Sequence, residues 1–125
     1  NRLQLLIAVL EKRVGLPMGG SDAFVKATGG VKIDEPAVDL GLAMALASSY
    51  CDCPVDPHTV VIGEVGLAGE VRGVSQIEHR IRESQKMGFR RAIVPAHSGR
   101  IKADPGFELV EALQAVGIGK YKKQH

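Results

Sequence analysis

The 125-residue chain predicts an α+β domain with a mixed β-sheet and packed helices. Three observations predict it. Short β-branched runs, His58-Thr59-Val60-Val61-Ile62 and Ala92-Ile93-Val94, alternate with segments of helical period. Glycine or proline punctuates the junctions, at Gly15 and Pro17, Gly29-Gly30, Pro54 and Pro57, Gly88, Pro95 and Pro105. Hydrophobic residues make up 45% and charged residues 24%, which suits a single globular domain with a real core.

Leu3, Leu6, Ile7 and Leu10 recur at helical spacing, so the first element is an amphipathic helix over 2–14, ended near Gly15. Residues 23–28 and 31–33 read as short strands around the Gly29-Gly30 bend. Pro36 then fits the first position of a helix, where a missing N–H costs nothing, with Asp34 or Glu35 as cap. From Ala37 to Ala47 this helix is apolar on nearly every side, Asp39 being its only charge. Such a helix is buried on more than one face, so it is central. Residues 58–62 form a strand, and Gly63–Val71 a glycine-rich hairpin returning through Arg72-Gly73-Val74. Residues 75–87 are the next helix, with Ile77, Ile81 and Met87 inward and Arg80, Arg82, Glu83 and Lys86 outward. Glu78 and Arg82 stand at the i,i+4 spacing that allows pairing. Gly88 ends that helix, Ala92-Ile93-Val94 is a strand, 107–110 another, and 111–116 a short closing helix.

Charge is unevenly spread. Residues 1–71 carry a net −4 and residues 72–125 a net +6, for a total of +2. Between 72 and 102 lie Arg72, Arg80, Arg82, Lys86, Arg90, Arg91, Arg100 and Lys102, facing only Glu78 and Glu83. A contiguous basic ridge of this kind tracks phosphates, although no aromatic residues interleave it to stack bases. No apolar run approaches the roughly 20 residues that span a bilayer. The chain opens on Asn1-Arg2 without a secretory or transit pattern, so it is expected to be a piece of a larger cytoplasmic protein. Cys51 and Cys53 are too close for a relaxed disulfide and too few for a zinc site, and are expected to be reduced.

Local motifs for chemistry are weak. No segment follows the phosphate-loop pattern, and Gly63-Glu64-Val65-Gly66 joins strand to strand rather than strand to helix. His58, His79, His97 and His125 match no metal-ligand spacing. Ser75 with His79, and His97 with Ser98, place a hydroxyl near an imidazole but offer no orienting carboxylate or oxyanion hole. The best-placed position for a nucleophile, the start of the central helix after a glycine bend, holds Ala37.

Four blocks carry a resemblance: Ala8–Lys12, Gly29–Ala37, Gly63–Arg72 and Gly88–Pro95. Together they resemble the Lon-type proteolytic domain (ribosomal protein S5 domain 2-like). More closely, they resemble its degenerate copy at the C-terminus of the RadA (Sms) family of bacterial DNA-repair proteins. A Lon-type protease uses a serine activated by a lysine. On this sequence the serine position falls at Ala37, the lysine position at Glu78, and the threonine before Gly-Glu at Ile62. The resemblance therefore implies a domain without catalytic residues.

It also implies that residues 1–125 form one Lon-like domain lacking its first strands. The family's zinc finger and RecA-like ATPase, with their zinc, ATP and magnesium, would lie in other parts of the protein, so no cofactor is expected here. The implied function is a non-catalytic scaffold that supports a homo-oligomeric ring. It would act with single-stranded or branched DNA and a recombinase, with no membrane involved. A vestigial cleft that binds peptides and a hydrolase built on Ser75 or Ser98 are the alternatives.

Overall fold

The computed structural model describes residues 2–15 and 35–115. The strands expected at 23–28 and 31–33 lie outside the described residues, as does the tail beyond Ala115.

Helix α1 spans Arg2–Val9 and widens into a π-helical turn, Leu10–Val14. It stops at Gly15, whose φ of 83° lets its N–H reach back to the Leu10 carbonyl. Leu3, Leu6, Ile7, Val9 and Leu10 are buried, as the period requires. A 3₁₀ turn, Pro36–Val38, leads into α2, Asp39–Cys51. Leu40, Ala43, Met44 and Leu46 are buried along α2, and Leu42 packs against the same core. The central position of this helix is legible from its composition.

Among the described residues five strands follow: β1 Thr59–Val61, β2 Glu64–Val65, β3 Val71–Arg72, β4 Arg91–Pro95 and β5 Glu108–Ala112. Helix α3, Ile77–Lys86, precedes β4. Parallel and antiparallel pairing both occur, but in separate sheets among the described residues. β1, β4 and β5 form a parallel sheet in that order, and β2–β3 is an antiparallel hairpin. Side chains alternate across the parallel sheet. Val61, Ile93, Val110 and Ala112 join the core built on α1 and α2, while Val60, Ala92, Val94 and Leu109 join a second core with Ile81 of α3. The sheet is therefore covered on both faces, as parallel sheets generally are.

Several expectations are corrected. The helix expected at 111–116 gives way to β5, which runs to Ala112 because Val94 and Pro95 pair with Glu111 and Ala112. Sheet pairing overrides the helix propensity of Glu111-Ala112-Leu113. Met87 is 75% exposed rather than inward, since α3 ends before it and Gly88 (φ 97°) turns the chain away. Phe89 N–H then closes the helix end onto the Ser84 carbonyl at 3.1 Å. Among the described residues Glu78 and Arg82 form no ion pair; the pair on α3 is Glu83–Lys86.

Candidate functional site

The start of α2 is held by backbone contacts with the segment leaving β1. Gly63 N–H donates to the Ala37 carbonyl at 2.9 Å, and the Gly63 carbonyl accepts from Leu40 N–H at 2.9 Å. A Cβ on Gly63 would stand 3.0 Å from Val71 Cγ1 and 3.3 Å from Leu40 Cβ, so glycine is what permits this approach. Glu35 caps the turn, its Oε1 accepting from Ala37 N–H at 3.3 Å. The same oxygen takes Arg80 Nη2 at 2.9 Å, and Arg80 Nε donates to the Ser75 carbonyl at 2.8 Å. One guanidinium thus ties the N-terminal ends of α2 and α3 together.

Asp39 is the residue that sequence reasoning passes over. It is fully buried in the first turn of α2, and its Oδ2 accepts from Val65 N–H at 3.0 Å. A carboxylate there also faces the positive end of the helix. It anchors β2 to the helix start. The signal is present in the sequence: a lone charge inside an apolar helix needs a buried partner.

Ala37 is 4% exposed and shares the second core with Ile62, Ile81, Ala92 and Val94. Two of the three positions that the resemblance marks, Ala37 and Ile62, thus lie in one dry cluster. The third, Glu78, is exposed on the first turn of α3. Methyl and sec-butyl groups supply neither a nucleophile nor a proton acceptor. Ser98 gives its hydroxyl to the Pro95 carbonyl, and Ser75 and His79 are both exposed.

The hairpin is organised around Glu70. Its Oε1 accepts from Ala68 N–H at 3.1 Å, and its Oε2 takes Arg72 Nη2 at 3.0 Å. Its own backbone first, then the Arg72 side chain, holds the carboxyl below its ordinary range. A Cβ on Gly66 would run into this carboxylate, so a side chain there would displace the Glu70 carboxyl from its present position. Leu113 and Ala115 bind the hairpin to the chain after β5, through Val71 N–H to the Leu113 carbonyl (2.8 Å) and Ala115 N–H to the Gly69 carbonyl (2.7 Å).

Four of the eight basic residues have carboxylate partners. Arg72 pairs with Glu70, Arg80 with Glu35, Lys86 with Glu83, and Arg91 with Glu108. Each pairing commits a positive charge to a carboxylate that composition counts cannot place. Arg82, Arg90, Arg100 and Lys102 are exposed and make no ion pair within the described residues. At the start of β1, Asp56 Oδ1 accepts from His58 N–H at 2.8 Å, and this hydrogen bond chiefly lowers the Asp56 carboxyl. Among the described residues no three His, Cys, Asp or Glu side chains group in a way that could hold a metal ion. Among them, too, no helix is long and apolar enough to cross a membrane.

Comparison with known proteins places these features in a family. Residues 27–98 match the family model described as subunit ChlI of Mg-chelatase. The proteins named DNA repair protein RadA from Halalkalibacterium halodurans and Streptococcus pneumoniae are each 48% identical over 118 residues. Both alignments cover 94% of this chain, and 25% and 27% of the respective relatives. The Bacillus subtilis protein of the same name is 57% identical over 96 residues, covering 77% of this chain and 21% of its own length. The chain thus spans about a quarter of the curated relatives it matches, at their C-terminal part. The chain belongs to the domain family described as subunit ChlI of Mg-chelatase and is homologous to the C-terminal part of DNA repair protein RadA.

Proposed function

We propose that this chain is a non-catalytic, Lon-like scaffold domain of a DNA-repair protein. It supports ring assembly of the longer chain and presents a basic face to single-stranded or branched DNA beside a recombinase. The observation that carries this reading is the dry cluster around Ala37 and Ile62, with Glu78 left outside it. A Lon-type dyad needs a hydroxyl and an amine within reach of each other, and these three side chains offer neither. The RadA relatives supply the DNA-repair context, and any ATPase activity, with its magnesium and nucleotide, belongs to the rest of the protein.

Arg72, Arg80, Lys86 and Arg91 each have a carboxylate partner, which leaves Arg82, Arg90, Arg100 and Lys102 to meet phosphate on this reading. Replacing these four by Glu in the full-length protein tests the DNA-facing part, with fluorescence anisotropy on single-stranded and forked oligonucleotides from low to high salt. Affinity should fall most at low salt. The slope of log K against log salt should flatten by about 0.7 for each single-strand phosphate that the variant no longer neutralises. Unchanged affinity and slope would remove DNA binding from the proposal, and an unchanged number of subunits per assembly after deletion of residues 1–125 would remove the scaffold role.

A further inference from the structure

The two cysteines sit at the far end of α2 from Ala37, and their geometry sets them apart from incidental surface thiols. Cys51 is the last residue of the helix, and Asp52 adopts a left-handed conformation (φ 52°, ψ 43°) that reverses the chain. Cys53 is then clamped to the helix's last turn at two backbone points. Its N–H donates to the Ser48 carbonyl at 3.0 Å, and its carbonyl accepts the Ser48 hydroxyl. The Cys53 thiol points back along this turn and donates to the Cys51 carbonyl at 3.3 Å. Both residues are exposed, neither is in a disulfide, and the chain has no other cysteine.

We propose that Cys51 and Cys53 form a redox-responsive dithiol, closed by exchange with a small-molecule disulfide such as oxidised glutathione into a Cys51–Cys53 disulfide. The Cys53 thiolate attacks one glutathione sulfur and expels the other half as a thiolate. The Cys51 thiolate then attacks the Cys53 sulfur of the mixed disulfide and expels the second glutathione. Two protein thiols lose two electrons, one disulfide is reduced to two glutathione thiols, and the two cysteine protons end on them. The left-handed Asp52 turns the chain so that the Cys53 sulfur stands 3.3 Å from the Cys51 carbonyl oxygen, and two thiols one residue apart resolve the mixed disulfide within the chain rather than by a second molecule.

A ring closed across one intervening residue departs from relaxed disulfide geometry, and so short a loop gains little from chain entropy. Such a bond is labile, which suits a reversible modification and not a structural staple. The reduced thiols expected from the sequence are then the resting state. Closing the bond removes the Cys53 thiol donor from the Cys51 carbonyl and pulls on the hydrogen bonds to Ser48. Its structural effect is confined to the last turn of α2.

The test is equilibration of the native chain in glutathione buffers of rising oxidised fraction, followed by acid quench, N-ethylmaleimide alkylation under denaturing conditions and intact-mass analysis. The expected result is loss of both alkylation sites together, with a mass two hydrogens lower and no retained glutathione. Cys51→Ser and Cys53→Ser should instead each accumulate a single glutathione adduct. Full alkylation of the wild type at the most oxidising ratio would overturn the proposal. So would stable glutathione adducts on the wild type, or disulfide-linked dimers in place of the internal bond. Reduced glutathione added afterwards should restore both alkylation sites, and a bond that resists it would refute the reversible character.

Discussion

Replacing Asp39 by Ala tests the buried anchor between α2 and the β2 hairpin. The substitution leaves Val65 N–H buried without the acceptor that now lies 3.0 Å away. An orphaned buried donor costs about 1–3 kcal/mol. Loss of a negative charge from the first turn of α2 adds about 0.3–1 kcal/mol through the helix dipole. Together these give a destabilisation of about 1.3–4 kcal/mol. With an unfolding entropy near 2.1 cal/mol/K per residue, the 125-residue chain should lose roughly 5–15 °C in Tm. Asp39→Asn keeps an oxygen acceptor and should cost about half as much. Urea unfolding followed by circular dichroism gives the free energies, and amide exchange at Val65 gives the local effect. An Asp39→Ala variant within about 0.5 kcal/mol of wild type, or unchanged protection at Val65, would refute the assignment.

Two further outcomes are expected. Ala37→Ser places a hydroxyl in the dry cluster with Ile62 and Ile81, and should cost about 1–3 kcal/mol in urea unfolding without yielding a serine that a fluorophosphonate probe labels; labelling at position 37 would contradict the non-catalytic reading. The Glu70 carboxyl is held below the ordinary glutamate value of 4.5, so its contribution to stability is present above that value and disappears as pH falls through the lowered folded one. Glu70→Gln should therefore lower Tm at pH 7 by an amount that shrinks as pH falls below 4.5, and a Tm difference that stays constant as pH falls would show that the charge is not what matters.

Local signals carry much of the fold. Pro36 at a helix start, Gly15 and Gly88 at helix ends, and the glycines of the hairpin each impose a backbone requirement that reads directly from residue type. The departures from expectation share a physical origin in partners distant along the chain. Local pattern ends β5 before Glu111, because its continuation depends on pairing with Val94 and Pro95. Arg80 reads as part of an outward ridge, yet its partner Glu35 is 45 residues away in sequence. Asp39 stands out as the only charge in its helix, but its acceptor role depends on Val65, 26 residues on. At the candidate site, the residue types at 37, 62 and 78 are legible. The apolar enclosure of the first two is not, because Ile81, Ala92 and Val94 reach that cluster from other elements.

The contacts that frame Ala37 explain how a fold of this kind can stand without a reactive side chain at that point. The helix start is fastened to Gly63 through two backbone hydrogen bonds, each 2.9 Å, and β1 continues to β4 through Ile62 N–H and the Ile93 carbonyl. None of these bonds depends on the side chain at position 37 or 62. What they demand is a glycine at 63, where Val71 and Leu40 crowd the backbone, and a buried acceptor at 39 for the amide that follows. The side chains at 37 and 62 are left to the second core, where a methyl and a branched alkyl group bury apolar area without leaving a polar atom unsatisfied. On the proposed reading, shape alone therefore favours apolar residues at both positions, since a buried serine or threonine carries a desolvation cost unless its hydroxyl finds a hydrogen-bond partner, as Ser84 does in the Arg80 carbonyl. Ala37→Ser alone is thus expected to lose stability without introducing chemistry.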